Sequence, residues 1–201
     1  MGRKRIHPVR VPGRPLFWND DDVLRGVLCG AVTSTRRLIK PQPPEWATSF
    51  GWSRYTPKGY ISGRGELNGK TCEVLIKTGW TVGKKVWVRE AFAGEEGGRL
   101  IYRADGGPTP PAAWCSAMYA PRWSSRCTLL IEALRVERLQ AIAKASTQEW
   151  AAEGCPLPLR DDPAARVEWF REKWDELHAK SGHAWATDPV VRVLTFKRVE
   201  P

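Results

Sequence analysis

The chain has 201 residues, of which 42% are hydrophobic, and it carries a formal net charge of +10 with a pI of about 9.7. Its length favours one domain with one sizeable core, and its charge attracts anions without selecting among them. No stretch reaches the roughly eighteen consecutive apolar residues that a membrane-spanning segment needs.

Five widely spaced cysteines without a Cys-x-x-Cys pair fit a reducing cytoplasm, so we expect a soluble cytoplasmic protein with no membrane association. The three histidines and the cysteines lack the spacing of metal ligands, so we expect no metal site and no cofactor. The sequence does not indicate an oligomeric state.

The first elements in chain order are a basic arm and a short helix. Residues 1–15 combine charges with internal prolines, which is typical of a mobile arm, either a solvated tail or a segment that follows nucleic-acid phosphates. A single domain then occupies 16–201. Acidic residues from Asp20 predict a helix that runs to Cys29 and closes at Gly30. Residues 41–71, rich in Pro, Gly and aromatics, predict a loop insertion that could include a hairpin, with disorder as the alternative.

Short β-branched and aromatic runs separated by glycine turns follow. They predict strands at 72–78, 84–92, 99–104, 125–139 and 188–199. The run at 125–139 is long enough that we expect it to bend. The strands favour an α+β fold with a small mixed β-barrel and flanking helices.

Two helices are predicted before the last strand. Ser146 and Glu149 form a capping-box pattern, with Gly154 as the exit. Asp162 and Pro163 begin the second helix. Its apolar side chains recur at spacings of three and four, which predicts packing against the barrel. That stripe comprises Val167, Phe170, Trp174 and Leu177.

The segment GAVTSTRR at 30–37 resembles the Gly-x-Lys-Thr-x-Thr-x-Arg signature that opens ASCH domains, a branch of the PUA-like superfamily. Later segments are similar to further parts of that family's pattern, including its phage-borne relatives. These are KPQP at 40–43, GKKVWVRE at 83–90, YRAD at 102–105, PRWSSR at 121–126 and the closing strand at 193–199. The resemblance covers most of 30–199, and its specificity lies in the combination of motifs.

The resemblance implies a PUA-like barrel with a cleft that binds RNA or modified nucleotides. One branch of the family resembles an amidohydrolase of acetylcytidine that uses Lys, Thr and Glu. Thr35 matches the nucleophile and Glu153 the acid/base, but Val32 stands at the lysine position. Because a Thr hydroxyl needs an activating group, hydrolysis would require Lys40 or Lys144 to supply the amine. Hydrolysis is therefore the alternative to plain binding, and a phage structural or interaction protein is a third.

The residues themselves suggest how the opening segment could hold an anion. Thr33 and Thr35 offer hydroxyls, and Arg36 or Arg37 offers a fork that matches phosphate, with Lys40 nearby. Adjacent strand residues alternate in direction, so we expect at most one of the two arginines to point inward and the other to lie on the surface. The simpler interpretation is that the hydroxyls only cap a turn.

Glu153 lies in the last turn of its helix, where the helix dipole disfavours a carboxylate. A requirement other than helix propensity could therefore explain this residue. The alternative is an ordinary surface charge. Trp87, Arg89 and Glu90 at a strand end could grip a nucleotide at the barrel mouth, or flank a buried Val88 as an outward pair.

Trp123 lies between Arg122 and Arg126 and is a candidate for stacking on a base, with core packing as the alternative. Tyr102 and Arg103 precede Asp105, which could cap a turn. We predict a binding cleft between 30–40, the strand ends near Arg89 and Tyr102, and the Glu153 helix. The expected ligand is RNA first, then DNA or a modified nucleotide. Its predicted contacts are Thr33, Arg36, Arg37, Lys40, Trp87, Arg89, Glu90, Tyr102, Arg103, Arg122, Trp123 and Arg126.

Overall fold

A computed structural model of the chain describes residues 15–52, 56, 58–94, 98–106 and 113–199. Its main layer is a five-stranded sheet in the order β1-β6-β9-β10-β2. The strands are β1 (Leu16–Phe17), β2 (Ser34–Leu38), β6 (Lys85–Arg89), β9 (Thr128–Arg138) and β10 (Val190–Val199). All neighbours are antiparallel except β1 and β6, which run parallel. The basic arm predicted at 1–15 lies outside the described residues except for Pro15.

The long strand predicted at 125–139 is present as β9, and its register against β10 shifts partway along. Ala133 faces Thr195 whereas Ile131 faces Phe196, so Glu132 is an extra residue on β9. Such a bulge bends a strand and increases its twist, as the length of this run led us to expect.

The prediction that 41–71 consists mainly of loops is wrong, although the hairpin that we allowed for is present. This region holds β3 (Ala47–Gly51), β4 (Tyr60–Leu67) and the start of β5 (Lys70–Lys77), which form a three-stranded antiparallel sheet. Glycine suggested loops, but Gly65 is needed inside the strand because a Cβ atom there would lie 1.6 Å from the carbonyl oxygen of Trp46. Close backbone approach is a known reason for glycine in strands.

The strand predicted at 84–92 divides into β6 and β7 (Phe92–Gly94), and β7 pairs with β8 (Leu100–Tyr102). The α+β class is therefore confirmed, with three sheets and three α-helices in the described part of the chain. No closed barrel forms among those strands, since β1 and β2 stand at the two edges of the large sheet.

The predicted helices form where the caps place them. Helix α1 (Asp21–Cys29) begins at Asp20, whose carboxylate accepts from the amides of Asp22 and Val23, and ends at Gly30 with φ 83°. Helix α2 spans Thr147–Ala152 and α3 spans Pro163–His178. The capping box is half formed, because Ser146 Oγ accepts from the Glu149 amide at 3.2 Å while the Glu149 carboxylate turns elsewhere.

The core has two parts. One lies among the large sheet, α1 and the β3–β5 sheet, and includes Leu24, Ile61, Val88 and Phe196. The other lies between α2, α3 and the β2 edge, where Trp150 is fully buried. The α3 stripe joins this second part through Val167, Phe170 and Trp174, but Leu177 is 51% exposed, contrary to prediction. In the described part of the chain, no helix combines the length and apolarity needed to cross a membrane.

Candidate functional site

A cavity of about 760 Å³ lies between the β2 edge, β1, the start of α1 and helix α3. Its walls are strongly aromatic. The rings that line it belong to Phe17, Trp18, Trp80, Trp169, Phe170 and Trp174. Mixed with them are cations from three elements, Arg37 on β2, Arg192 on β10 and Lys173 on α3.

Strand pairing and an ion pair fix two of the cavity walls. Leu16 and Phe17 pair with Val88 and Arg89, which places the Phe17 ring at the edge of the large sheet. Lys173 Nζ lies 2.5 Å from Asp20 Oδ2, so an ion pair joins α3 to the cap of α1 across the cavity.

Arg36 is almost completely enclosed, with 1% of its side chain exposed, and three carboxylates surround it. Nη1 donates to Glu153 Oε1 at 2.6 Å, Nη2 to Glu149 Oε1 at 2.9 Å, and Nε to Glu137 Oε1 at 3.0 Å. Arg36 therefore uses its guanidinium within the protein, which accounts for the direction of the Glu149 carboxylate.

Glu153 lies on the floor of the cavity and is 7% exposed. Besides Arg36, the hydroxyl of Ser34 donates to its Oε1 at 3.1 Å. Burial raises the pKa of this carboxyl, whereas the charge of Arg36 and the hydrogen bonds from Ser34 and Arg36 oppose the rise. The surface-charge alternative for Glu153 is thus wrong, because the ion pair of Arg36 holds this carboxylate inside the fold.

Arg37 follows Arg36 directly but has no carboxylate within ion-pair distance among the described residues. Its Nη2 donates to the carbonyl oxygen of Phe17 at 2.7 Å, and its guanidinium carbon lies 4.9 Å from the centre of the Trp18 ring. Its Nε is buried without a hydrogen-bond partner in the described structure. Burial and the nearby charge of Arg192 lower the pKa of Arg37 to about 10, although the charge of Glu153 opposes this fall, so Arg37 remains a cation at neutral pH.

The expectation that one of the two arginines lies on the surface is therefore wrong. Arg36 is buried and Arg37 is half-buried along the cavity wall. Strand alternation still separates them, but both sides of β2 are covered, one by the carboxylates of α2 and β9 and the other by Phe17 and Trp18.

The acidic residues at the start of α1 do not form ion pairs with Arg37, because each has another cation as its partner. Asp20 binds Lys173, Asp21 accepts from Arg103 Nε at 2.7 Å, and Asp22 pairs with Arg25. The lining also includes the cation of Lys40, the carboxylate of Glu176 and the imidazole of His178. Burial, together with the charges of Lys40 and Arg37, lowers the pKa of His178.

The residues predicted for hydrolysis are partly brought together. Thr35 lines the cavity with Glu153 and Lys40, while Lys144 ends a 3₁₀ turn that is not part of the lining. In the described structure no lysine is hydrogen-bonded to the Thr35 hydroxyl. Val32, at the family's lysine position, is 5% exposed and packs in the core. Thr33 is not in the lining either, and its backbone pairs with Ala152 and Phe196.

The remaining predicted residues form a second group outside the cavity. Arg126 pairs with the buried Glu90 at 2.8 Å and with Asp105 at 2.6 Å, and its guanidinium lies 4.1 Å from the Tyr102 ring centre. Burial lowers the pKa of Arg126, but the two carboxylates raise it more, so the net shift is upward. Arg103 is paired with Asp21. The charges of Arg103 and Arg126 are therefore paired within the protein.

Four further predicted residues also lie outside the cavity: Trp87, Arg89, Arg122 and Trp123. The two arginines among them have no carboxylate partner among the described residues. The Arg89 guanidinium lies 5.0 Å from the Trp87 ring centre and donates to the Met118 carbonyl at 2.7 Å. Trp123 is 71% exposed, so core packing does not explain it. The residues predicted to form one cleft are therefore divided between the cavity and an exposed surface near Trp123.

Sequence reasoning missed several cavity residues, chiefly Trp18, Trp80, Lys173, His178 and Arg192. Trp174 was assigned to the core, and it does belong there, but it also lines the cavity. The available indication was the density of aromatic rings in α3, where Trp169, Phe170 and Trp174 exceed what one buried stripe needs.

No protein-family model matches the chain. Searches of curated proteins and of solved structures also find no match. Within the described residues, no three His, Cys, Asp or Glu side chains cluster in a way that could hold a metal ion.

Proposed function

We propose that the cavity binds one nucleotide, either a free modified nucleotide or a single nucleotide of a nucleic acid. In this arrangement Arg37 holds the phosphate and the base lies among the aromatic walls. The observation that carries the proposal is Arg37, a half-buried cation in an aromatic cavity without a carboxylate partner in the described structure.

The energetic argument starts from the cost of an unmatched charge. Removing a cation from water is unfavourable unless an anion or several acceptors replace the water. Arg36 receives three carboxylates, whereas Arg37 receives one backbone carbonyl and two ring faces. A phosphate that accepts charge-assisted hydrogen bonds from Arg37 would supply the missing anion.

The shape of the cavity supports a ligand with a flat aromatic part. Small-molecule sites occupy about 300–1,000 Å³, and this cavity measures about 760 Å³. A base and its ribose fit that volume, whereas a duplex does not. Aromatic walls stack on any base, since every base has a π-face.

The sequence resemblance supports the same class of ligand. The motifs at 30–37, 83–90, 102–105 and 121–126 resemble those of ASCH domains, which implies binding of RNA or a modified nucleotide. A PUA-like relationship is part of this proposal, with the large sheet as the counterpart of that barrel. RNA is the preferred source of the nucleotide.

The proposal can be tested by titrating the protein with nucleoside monophosphates at low salt and following tryptophan fluorescence. We expect saturable quenching, since three tryptophans or more line the cavity. Arg37→Ala should weaken binding by about 10- to 100-fold, the equivalent of about 1.5–3 kcal/mol for a hydrogen bond to a charged group. Arg171→Ala is the matched control, because Arg171 is exposed and pairs with Glu168. Absence of binding to any monophosphate would contradict the proposal.

A second candidate is hydrolysis of an amide on an acylated cytidine. It is favoured by one observation, that Thr35, Glu153 and Lys40 line the same cavity. In this scheme the Lys40 amine, in place of the one that the resemblance puts at Val32, takes the hydroxyl proton of Thr35, and Thr35 Oγ1 attacks the amide carbonyl carbon. The amide C–N bond breaks, the exocyclic amine of cytidine leaves with that proton, and water then hydrolyses the acyl ester of Thr35. The tight pairing of Glu153 with Arg36 weighs against it, because a base must be available to exchange a proton.

Incubation of the protein with acylated cytidines tests the second candidate. Turnover that is lost in both Thr35→Ala and Lys40→Ala, but retained in Lys144→Ala, would support it. Turnover that survives Thr35→Ala, or no turnover by the wild-type protein, would contradict it.

A further inference from the structure

An exposed surface outside the cavity concentrates large apolar side chains. Among the described residues, nine large hydrophobics are exposed, and three of them fall within six consecutive positions: Met118 at 56%, Tyr119 at 75% and Trp123 at 71%. Single exposed apolar residues are ordinary, but a cluster indicates an interaction site. We call this patch, with Arg89 and Arg122, the Trp123 surface.

Two arginines give the Trp123 surface a positive charge that no carboxylate among the described residues pairs with. Neither Arg89 nor Arg122 has a carboxylate within ion-pair distance in the described part of the chain. Each has a buried nitrogen without a hydrogen-bond partner there, Nε in Arg89 and Nη1 in Arg122. By contrast, the neighbouring Arg103 and Arg126 are fully matched by Asp21, Glu90 and Asp105.

The same surface is continuous with the cavity through a short series of contacts. Arg37, in the cavity, donates to the carbonyl of Phe17. Phe17 is paired in register with Arg89 on the adjacent strand. Arg89 in turn donates to the carbonyl of Met118 at 2.7 Å. These contacts therefore link Arg37 in the cavity to Arg89 on the Trp123 surface, and neither arginine has an ion pair among the described residues.

We infer that the Trp123 surface binds the nucleotides that flank the one in the cavity, so that the natural ligand is a single-stranded nucleic acid. This inference rests on the proposed function. Exposed rings can stack only on bases that are not paired in a duplex, and arginines between the rings can follow the phosphates. The Trp123 ring is also partly oriented, since it meets the Phe92 ring edge-on at a centroid distance of 5.9 Å.

The inference is tested by comparing one nucleoside monophosphate with ten-nucleotide single strands of RNA and of DNA of the same sequence. We expect both single strands to bind more tightly than the monophosphate, and the two arms show which sugar is preferred. Trp123→Ala should weaken oligonucleotide binding by about 5- to 150-fold, the equivalent of one lost base–aromatic stack. It should leave monophosphate binding unchanged.

Trp52→Ala is the matched control, because Trp52 is 53% exposed but lies at the end of β3, away from the Trp123 surface. Trp123→Phe keeps a ring and should retain most of the oligonucleotide affinity. Thermal melting of each variant checks that the fold is intact.

The outcomes separate the two proposals. If the monophosphate binds and Trp123→Ala has no effect on either single strand, the inference is overturned while the cavity proposal stands. If the monophosphate does not bind, the cavity proposal fails first. If Trp123→Ala instead dissociates an oligomer, measured by light scattering, and oligonucleotide binding is unchanged, the surface is a protein interface and the inference is likewise overturned.

Discussion

Arg36 and Arg37 are adjacent arginines on β2, but their side chains lie in opposite electrostatic environments. Arg36 is enclosed by Glu137, Glu149 and Glu153. Arg37 meets two aromatic rings and one carbonyl oxygen, with no carboxylate in the described structure. The first arrangement satisfies the charge within the protein and stabilises the joint between β2, β9 and α2. The second leaves Arg37 without an ion pair in the described structure, and we propose that a ligand phosphate is its partner.

The comparison shows how function can be separated from structure in a basic protein. The charges of arginines such as Arg36 and Arg126 are offset by the carboxylates that pair with them. Arg37, Arg89 and Arg122 are among the arginines that have no ion pair in the described structure, and we propose that these three contact the ligand. Net charge alone cannot distinguish these two sets.

The largest effect should come from Arg36→Ala. It strands Glu153 as a buried carboxylate, which should lower the free energy of unfolding by about 3–5 kcal/mol. Denaturant unfolding measures this loss. Arg135→Ala is the control, because Arg135 pairs with Glu137 and Glu149 but is 46% exposed. This substitution should lower the free energy of unfolding by about 1 kcal/mol or less.

Adding Glu153→Gln to Arg36→Ala removes the stranded charge and should recover part of the stability. If Arg36→Ala costs no more than Arg135→Ala, the structural assignment of Arg36 is wrong.

A smaller effect on stability is expected from Arg37→Ala, although the deleted side chain is the same. The variant loses one hydrogen bond to Phe17, but it also removes a desolvated cation, so the free energy of unfolding should change by about 1 kcal/mol or less. The same unfolding experiment, run beside Arg36→Ala, measures the contrast. A loss as large as that of Arg36→Ala would make Arg37 a structural residue instead.

The smallest effect is a pH dependence from His178, which faces Lys40, Arg37 and His183. Because its folded pKa lies below 6.5, the unfolded chain binds a proton that the folded chain does not as pH falls from 6.5 towards the folded pKa. The wild type should therefore lose stability relative to His178→Gln across that window, and show no such loss above it. Unfolding titrations on both sides of the window test this. A relative gain for the wild type at the acidic end would reverse the assigned sign.

Local rules predicted the caps and the strands well, since their causes lie within a few residues. Asp20 and Gly30 bound α1 because a carboxylate caps amides two and three residues ahead and glycine adopts positive φ. In the half-formed capping box, the hydrogen bond from the Glu149 amide to the Ser146 hydroxyl is local. The other half depends on Arg36, 113 residues from Glu149, and no local pattern contains it.

The same limit explains the errors at 41–71 and in the site. Gly65 looks like a turn residue until Trp46 is brought against it by pairing of β3 with β4. Thr35, Arg37 and Glu153 could be proposed from motifs. The cavity that contains them is also lined by Trp18, which follows β1, and by His178 at the end of α3, and tertiary packing brings these two residues there.

The central claim is that Arg37 holds a phosphate, and a binding cycle tests it most directly. Calorimetric titration would compare a nucleoside with its monophosphate, each against the wild type and Arg37→Ala. We predict that the wild type prefers the monophosphate by about 10- to 100-fold and that Arg37→Ala abolishes the preference while binding the nucleoside as before. An undiminished preference for the monophosphate in Arg37→Ala would contradict the account.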